Sequence, residues 1–186
     1  MRSYLISIWS LIDPLYYFCT RLTFPPSKGR ERNIFRIRLT KYKGKSIVLS
    51  DGTKINKNDT LVKIHFHNVR LLSELKDIKS EFKKAKIISS YVKKSLPGVE
   101  IYIQNYCNSD EIKGIIGITL LNKGCERLGF EIIDIKHPIY KLFKRLSFLP
   151  IGFLSSKNSS ISHILMHQAP SYLFMSRIKL SNMYKL

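Results

Sequence analysis

The chain has 186 residues, 44% hydrophobic and 11% aromatic, a composition that suits one globular domain and excludes wholesale disorder. Its formal net charge is +19, from 32 Lys and Arg against 13 Asp and Glu, so the partners it suits best are polyanions. Its 3 cysteines have no CxxC spacing, so we expect reduced thiols in the cytoplasm rather than disulfides or a structural zinc site. We expect a single domain over residues 1–186, with its core in about 1–150 and a basic C-terminal segment at 151–186.

The first element predicted along the chain is a helix near the N-terminus. Leu5, Ile8 and Ile12 recur at helical spacing on one face. Asp13 and Pro14 interrupt the apolar run after about ten residues, too few to span a bilayer, and no signal-peptide cleavage site follows. Two interpretations remain open: a helix packed on the core, and an anchor lying in a membrane interface.

Residues 34–68 alternate between apolar and polar side chains, which predicts an antiparallel β-meander. Asp51 and Gly52 form a strong hairpin-turn signal between two of its strands. The apolar set predicted to face the core comprises Phe35, Ile37, Leu39, Val62, Ile64 and Phe66.

A long amphipathic helix is predicted from Ser73 to the Pro97-Gly98 pair, because apolar residues then recur at helical spacing. The pattern does not decide between strand and helix for residues 97–107. Residues 112–121 predict a buried strand, and residues 130–135 predict another after a short helix ended by Gly129. The connection between these two strands is short for a parallel crossover, so they are either antiparallel or not adjacent.

Residues 140–150 predict a basic amphipathic helix with one apolar face and one cationic face. The apolar face carries Leu142, Phe143, Leu146 and Leu149, and the cationic face carries Lys141, Lys144 and Arg145. The elements together predict an α+β domain, or a mixed α/β domain: an N-terminal helix, an antiparallel meander, a long amphipathic helix and further buried strands with short helices.

The positive charge is unevenly distributed. Residues 28–45 hold eight Lys and Arg and one Glu, a net of +7, and residues 136–186 hold eight and no acid, a net of +8. Residues 96–135 hold three basic and six acidic side chains, a net of −3. The predicted basic surface comprises Arg36, Arg38, Lys41, Lys141, Lys144 and Arg145. A base-composition bias toward lysine codons is the alternative source of the charge, and no nucleic-acid-binding motif predicts a specific nucleic-acid partner.

Metal and catalytic motifs are sparse. His65 and His67 share one face of the predicted third strand, a spacing with which two imidazoles can hold one metal ion. The same spacing is common on exposed strands, no HExxH or CxxC accompanies it, and we therefore predict no metal site. The chain lacks GxSxG, GxxxxGK[ST] and GxGxxG, so no cofactor is predicted.

The combination FRIRLTKYKGK, LSDGT, LVKIHFHN, KSLPG and KGIIGITLLNKGCERLGFE resembles the YkoP family, an uncharacterised group in spore-forming bacilli. The resemblance runs from residue 1 to about residue 160. It implies kinship with a domain sometimes attached to polysaccharide-deacetylase modules and an association with sporulation, and it assigns no catalytic residues. The pattern of the attached versions singles out His65 and Asn68, with the turn residue Asp59, as candidates for a polar site.

The function predicted from the sequence is that of a non-enzymatic accessory protein of sporulation and the cell envelope. Its expected partner is an anionic membrane surface or an envelope polymer, and its expected location is the cytoplasm, with peripheral attachment to the membrane. One alternative is an enzyme of envelope glycan or lipid metabolism with a polar site around His65 and Asn68. Another is a nucleic-acid binder without sequence specificity. The sequence does not indicate the oligomeric state.

Overall fold

A computed structural model describes residues 13–15, 17–18, 20–26, 33–120 and 124–155, with the backbone alone for 149–155, and residues 169–185. The predicted helix at residues 5–12 lies outside these residues. The strands are β1 (Phe35–Lys41), β2 (Ile47–Val48), β3 (Lys54–Ile55), β4 (Thr60–Phe66), β5 (Ile112–Thr119), β6 (Glu131–Asp134) and β7 (Ser171–Ser176). The helices of eight or more residues are α1 (Asn68–Leu75), α2 (Glu81–Gln104), α3 (Pro138–Ser155) and α4 (Arg177–Tyr184).

Five strands form one mixed sheet in the order β1-β4-β5-β7-β6, which confirms the α+β class. Only β4 and β5 run parallel, and the other neighbours are antiparallel. The predicted meander needs a correction, because β1 pairs directly with β4, and β2 and β3 form a separate hairpin between them in the sequence. The buried strands predicted at residues 112–121 and 130–135 belong to this same sheet, where β7 lies between β5 and β6, so they are not adjacent.

The turn between β2 and β3 follows the sequence signal. Gly52 has a φ of +81°, a left-handed conformation that favours glycine, and the Leu49 amide donates to the Thr53 carbonyl at 3.0 Å. Asp51 accepts a hydrogen bond from the Ser176 hydroxyl at the end of β7, which fixes the hairpin to the main sheet.

The first face of the sheet is the main core. The buried residues Phe35, Ile37, Val62, Ile64 and Ile115 line it from three strands. The helices α1, α2 and α4 cover this face with a set of buried residues that comprises Leu71, Leu75, Val92, Leu96, Val99, Ile103, Leu180 and Tyr184.

Helix α2 continues through Pro97 and Gly98 and ends at Gln104, which corrects the predicted helix end and shows that most of residues 97–107 is helical. A Cβ on Gly98 would lie 2.0 Å from the carbonyl oxygen of Pro26, so the glycine allows another backbone to approach the helix. Beside it the Asn33 amide donates to the Ser95 carbonyl at 3.0 Å. These residues therefore bring α2 against the start of β1 instead of ending the helix.

The second face of the sheet is only partly apolar. At one end the β2–β3 hairpin covers a smaller core that comprises Tyr42, Leu49, Ile55, Leu61, Ile116 and Phe174. The remainder carries basic side chains of β1 and β4, and it lies between the N-terminal segment (residues 13–26) and α3.

Candidate functional site

A buried ion pair holds the N-terminal segment on the second face. Arg36 of β1 is 5% exposed, and both prongs of its guanidinium bind Asp13, Nη1 to Oδ1 at 2.8 Å. The rings of Tyr17 and Phe24 lie over this guanidinium, with centroids 5.2 and 5.4 Å from Cζ. His67 Nε2 lies 3.4 Å from Asp13 Oδ2. Arg36 therefore anchors the segment and does not belong to the predicted basic surface.

The protonation states in this network follow from burial and the Arg36 charge. Burial alone would raise the pKa of Asp13, but the hydrogen bond and charge of Arg36, with help from His67, hold it below its ordinary value of 3.8. Burial and the Arg36 charge lower the pKa of His67, and the Asp13 carboxylate opposes this shift without reversing it. At neutral pH the network is thus an aspartate–arginine pair beside a neutral imidazole.

A second basic group lies on the same face, where His65 is opposite Arg36 and Lys63 is opposite Arg38. Lys63 and His65 of β4 are both partly buried beside Arg38 of β1 and Lys144 of α3. Burial, followed by the charges of Lys144 and Arg38, lowers the pKa of Lys63 to about 8. Burial and the charges of Lys63, Arg38 and Lys144 lower the pKa of His65 to about 3, so its imidazole is neutral at physiological pH.

Helix α3 packs on the sheet through its polar side. Tyr140 stacks on Tyr172 of β7 with ring centroids 6.3 Å apart, and Lys144 Nζ lies 5.3 Å from the Tyr140 centroid. The apolar stripe of α3 faces solvent instead: Ile139 is 60% exposed, Leu142 55%, Phe143 64% and Leu146 47%. A surface helix normally turns its apolar stripe inward, so this orientation is the reverse of the usual one. The side chain of Leu149 lies outside the described residues.

The N-terminal segment exposes apolar side chains as well. Leu15 and Phe18 are exposed, and the segment covers the same sheet face as α3. Two elements on one side of the sheet thus present large hydrophobic residues to solvent. Exposed hydrophobic patches of this kind mark interaction surfaces more often than single exposed residues do.

Two of the residues predicted for the polar site, Asp59 and His65, lie at opposite ends of β4. Asp59 lies in the turn before β4, where its carboxylate accepts from the Asn56 amide at 2.7 Å. His65 is six residues farther along the strand, which corresponds to roughly 20 Å at the usual rise per residue. Asn68 begins α1, beyond the end of the strand, and His67 precedes it as the N-cap residue. A site around His65 is instead formed by Arg38, Lys63 and Lys144.

The other residues of the predicted basic surface have mixed environments. Lys41 is exposed, and its amine donates to the Thr60 hydroxyl at 2.7 Å. Lys141, Lys144 and Arg145 are partly buried because α3 turns them toward the protein.

No group of three His, Cys, Asp or Glu within the described residues is arranged to hold a metal ion. Cys107 and Cys125 are free thiols, and burial raises the pKa of Cys125 to about 11, which makes it a poor nucleophile. Across the described residues, no helix has the length and apolar character needed to cross a bilayer.

Comparison with known proteins identifies the family. The model of the YkoP domain matches residues 2–184. The chain belongs to the YkoP family. The uncharacterised protein YkoP of Bacillus subtilis (strain 168) is 48% identical to it over 185 residues, which cover 100% of this chain and 98% of that relative. No solved structure matches the chain.

Sequence reasoning missed the part played by Asp13 and the outward stripe of α3. One signal for Asp13 was available: it is the only acidic residue among the first 30. It is therefore the only carboxylate in that part of the sequence that could pair with a buried arginine. The direction of α3 has no comparable signal, because an amphipathic pattern shows that two faces exist and not which one meets the protein.

Proposed function

We propose that the protein binds reversibly to the surface of anionic membranes through the apolar stripe of α3. The observation that carries the proposal is the outward orientation of that stripe on a chain of net charge +19. Apolar side chains that enter the interface, with cations near the headgroups, are the features of a peripheral amphipathic helix. The exposed Leu15 and Phe18 on the same side of the sheet support a common membrane-facing surface.

The expected strength is that of a reversible contact. Burying a Leu, Ile or Phe side chain contributes about 1.5–3 kcal/mol, so four roughly half-exposed side chains contribute about 3–6 kcal/mol. Each basic residue close to an anionic bilayer adds about 1 kcal/mol. Lys136 is exposed next to the start of α3, and its contribution weakens as salt screens the charges.

An enzymatic role receives less support from the geometry. A histidine whose pKa is about 3 is a weak general base at neutral pH, and Asp59 lies at the other end of β4 from His65. Binding to an envelope polymer and a link to sporulation remain predictions of the sequence and of the resemblance.

Vesicle sedimentation tests the proposal. The protein should sediment with vesicles that contain phosphatidylglycerol, should remain in the supernatant with pure phosphatidylcholine vesicles, and should dissociate as salt is raised. The double variant Leu142→Ser, Phe143→Ser should weaken binding about ten-fold or more, because it removes two of the four apolar side chains.

The matched control is Phe82→Ser on α2, which packs on the opposite face of the sheet. Phe82 is 79% exposed, so its loss should leave vesicle binding unchanged. Equal recovery of the wild type with neutral and anionic vesicles at low salt would contradict the proposal. Self-association that depends on Phe143, without any vesicle binding, would also contradict the proposal, because the stripe would then be the interface with a second copy of the chain.

A further inference from the structure

Two cations face each other across neighbouring strands on the second face. Arg38 of β1 is directly opposite Lys63 of β4 in the antiparallel register. Directly opposed side chains have Cβ atoms about 4.5–5.5 Å apart, and like charges in such a pair destabilise the sheet. Lys144 approaches from α3, since its charge acts on both Lys63 and His65. The fold therefore concentrates three cations around one imidazole.

No carboxylate among the described residues offsets this concentration. Asp13 forms its ion pair with Arg36, and the charges that lower the pKa values of Lys63 and His65 are all positive. Of the 13 acidic side chains in the sequence, Glu31 is the only one outside the described residues. A local arrangement that lowers stability without an evident internal compensation is expected mainly at functional sites.

Two buried polar atoms of the group also lack a partner in the described part of the chain. They are Nε of Arg38 and Nε2 of His65. The Nη1 atom of Arg38 reaches only the Thr20 carbonyl, at 3.4 Å. Buried polar atoms of this kind are usually satisfied by water or by a bound ion.

Solvent can reach Arg38 from the outer edge of β1. A groove of about 460 Å³ opens there between the N-terminal segment, β1 and α2. Its lining comprises Thr20, Arg21, Thr23, Arg38, Leu39 and Tyr102. Arg21 adds a further cation to this approach, and Arg38 links the groove to the group around His65.

We propose that Arg38, Lys63 and Lys144 form a binding site for a phosphate group, with His65 at its base. The flat guanidinium of Arg38 can bind two phosphate oxygens at once, and the two flexible ammonium groups can bind the others as point charges. The phosphate is either that of a lipid headgroup or free phosphate, because both present the same tetrahedral oxygens. The site does not depend on the proposed membrane contact, which involves the opposite side of α3.

Occupation of the site has a consequence for His65. Arg36 lies directly opposite His65 in the strand register and is paired with Asp13. Burial and the charges of Lys63, Arg38 and Lys144 hold the pKa of the His65 imidazole at about 3. A bound phosphate places negative charge beside them and favours the imidazolium, so it raises the pKa of His65. In the pH range just above 3 the protonated fraction of His65 should consequently increase on binding.

The test is an NMR titration of the His65 ring, whose signals are assigned with His65→Gln. Inorganic phosphate is added at constant ionic strength set by chloride, and a second titration uses a short-chain phosphatidylglycerol below its micelle concentration. We expect saturable shifts and a rise of at least about one unit in the pKa of His65. If only inorganic phosphate saturates the site, its ligand is free phosphate. If the lipid saturates it, the ligand is the phosphate of a lipid headgroup.

Two variants separate a specific site from general charge attraction. Lys63→Gln should weaken phosphate binding at least about ten-fold. The variant should fold, because the substitution removes a like-charge contact, and circular dichroism checks that it does. Lys113→Gln changes an exposed lysine on the adjacent strand β5 and should leave binding unchanged. Leu142→Ser, Phe143→Ser should also leave it unchanged. Shifts that chloride reproduces, or equal losses in Lys63→Gln and Lys113→Gln, would overturn the proposal.

Discussion

Replacing Asp13 by Asn should destabilise the fold strongly, because it leaves a buried guanidinium without its counter-charge. Arg36 is 5% exposed, and the Asp13 side chain is 13% exposed. Removing one partner of a buried ion pair typically costs about 3–5 kcal/mol. The rings of Tyr17 and Phe24 continue to stabilise the cation, so we expect the lower end of that range, about 3 kcal/mol. For a chain of this length the corresponding fall in melting temperature is roughly 6–12 °C.

Urea unfolding followed by circular dichroism measures this free energy of unfolding. The double variant Asp13→Leu, Arg36→Met removes both charges and should lie within about 1 kcal/mol of the wild type. A loss below about 1 kcal/mol in Asp13→Asn, or a double variant less stable than Asp13→Asn, would refute the reasoning.

The pH dependence gives a second check on the same pair. The pKa of folded Asp13 lies below its ordinary value of 3.8, so the carboxylate is favoured in the folded state. Its contribution is complete above about pH 3.8 and is lost as the pH falls through the lowered pKa. The stability difference between wild type and Asp13→Asn should therefore shrink in acid and stay constant near neutral pH.

Three further predictions concern other parts of the fold. Ser176→Ala should lower the free energy of unfolding, measured in urea, by about 1–2 kcal/mol, since Ser176 both caps α4 and donates to Asp51. Ser80→Ala should lower it by less, because Ser80 is only the N-cap of α2. Gly98→Ala should cost about 1–3 kcal/mol, because the added Cβ meets a backbone oxygen at 2.0 Å, whereas Ser90→Ala on the exposed side of α2 should be nearly neutral. Lys63→Met should stabilise the protein below pH 8, because it removes a buried charge. The gain is at most roughly 3 kcal/mol, since solvent screens part of the charge, and it should fade as the pH rises from about 8 to 10.5. A gain that is independent of pH would contradict the cause assigned to it.

The sequence predicted local structure better than it predicted which faces meet. The alternation in β1 and β4, the Asp51-Gly52 turn and a helix at 140–150, within α3, were identified because each depends on short-range periodicity or backbone conformation. The pairing of Arg36 with Asp13, 23 residues apart, is a tertiary contact that no local pattern encodes. The strand β7 was missed because SYLFMS has a short apolar run between two serines, a pattern that fits several kinds of buried segment.

The candidate site shows the same limit. His65 was recognised on the third predicted strand, but the sequence could not show that Lys144 of α3 and Arg38 of β1 would surround it. It also could not show that Tyr140 stacking on Tyr172 would turn the apolar stripe of α3 away from the protein. Both depend on how distant elements pack against each other, and the two proposals rest on those packing arrangements.

The most direct test of the membrane proposal is the depth of residue 143 in a bilayer. An environment-sensitive dye is attached to Phe143→Cys in a chain in which Cys19, Cys107 and Cys125 are replaced by Ser, and a matched label is placed at Phe82→Cys. With phosphatidylglycerol vesicles the dye at 143 should shift to the blue and be quenched by lipids brominated in their acyl chains, whereas the dye at 82 should do neither. An unchanged spectrum at 143, or equal quenching at both positions, would contradict the claim that the α3 stripe enters the membrane.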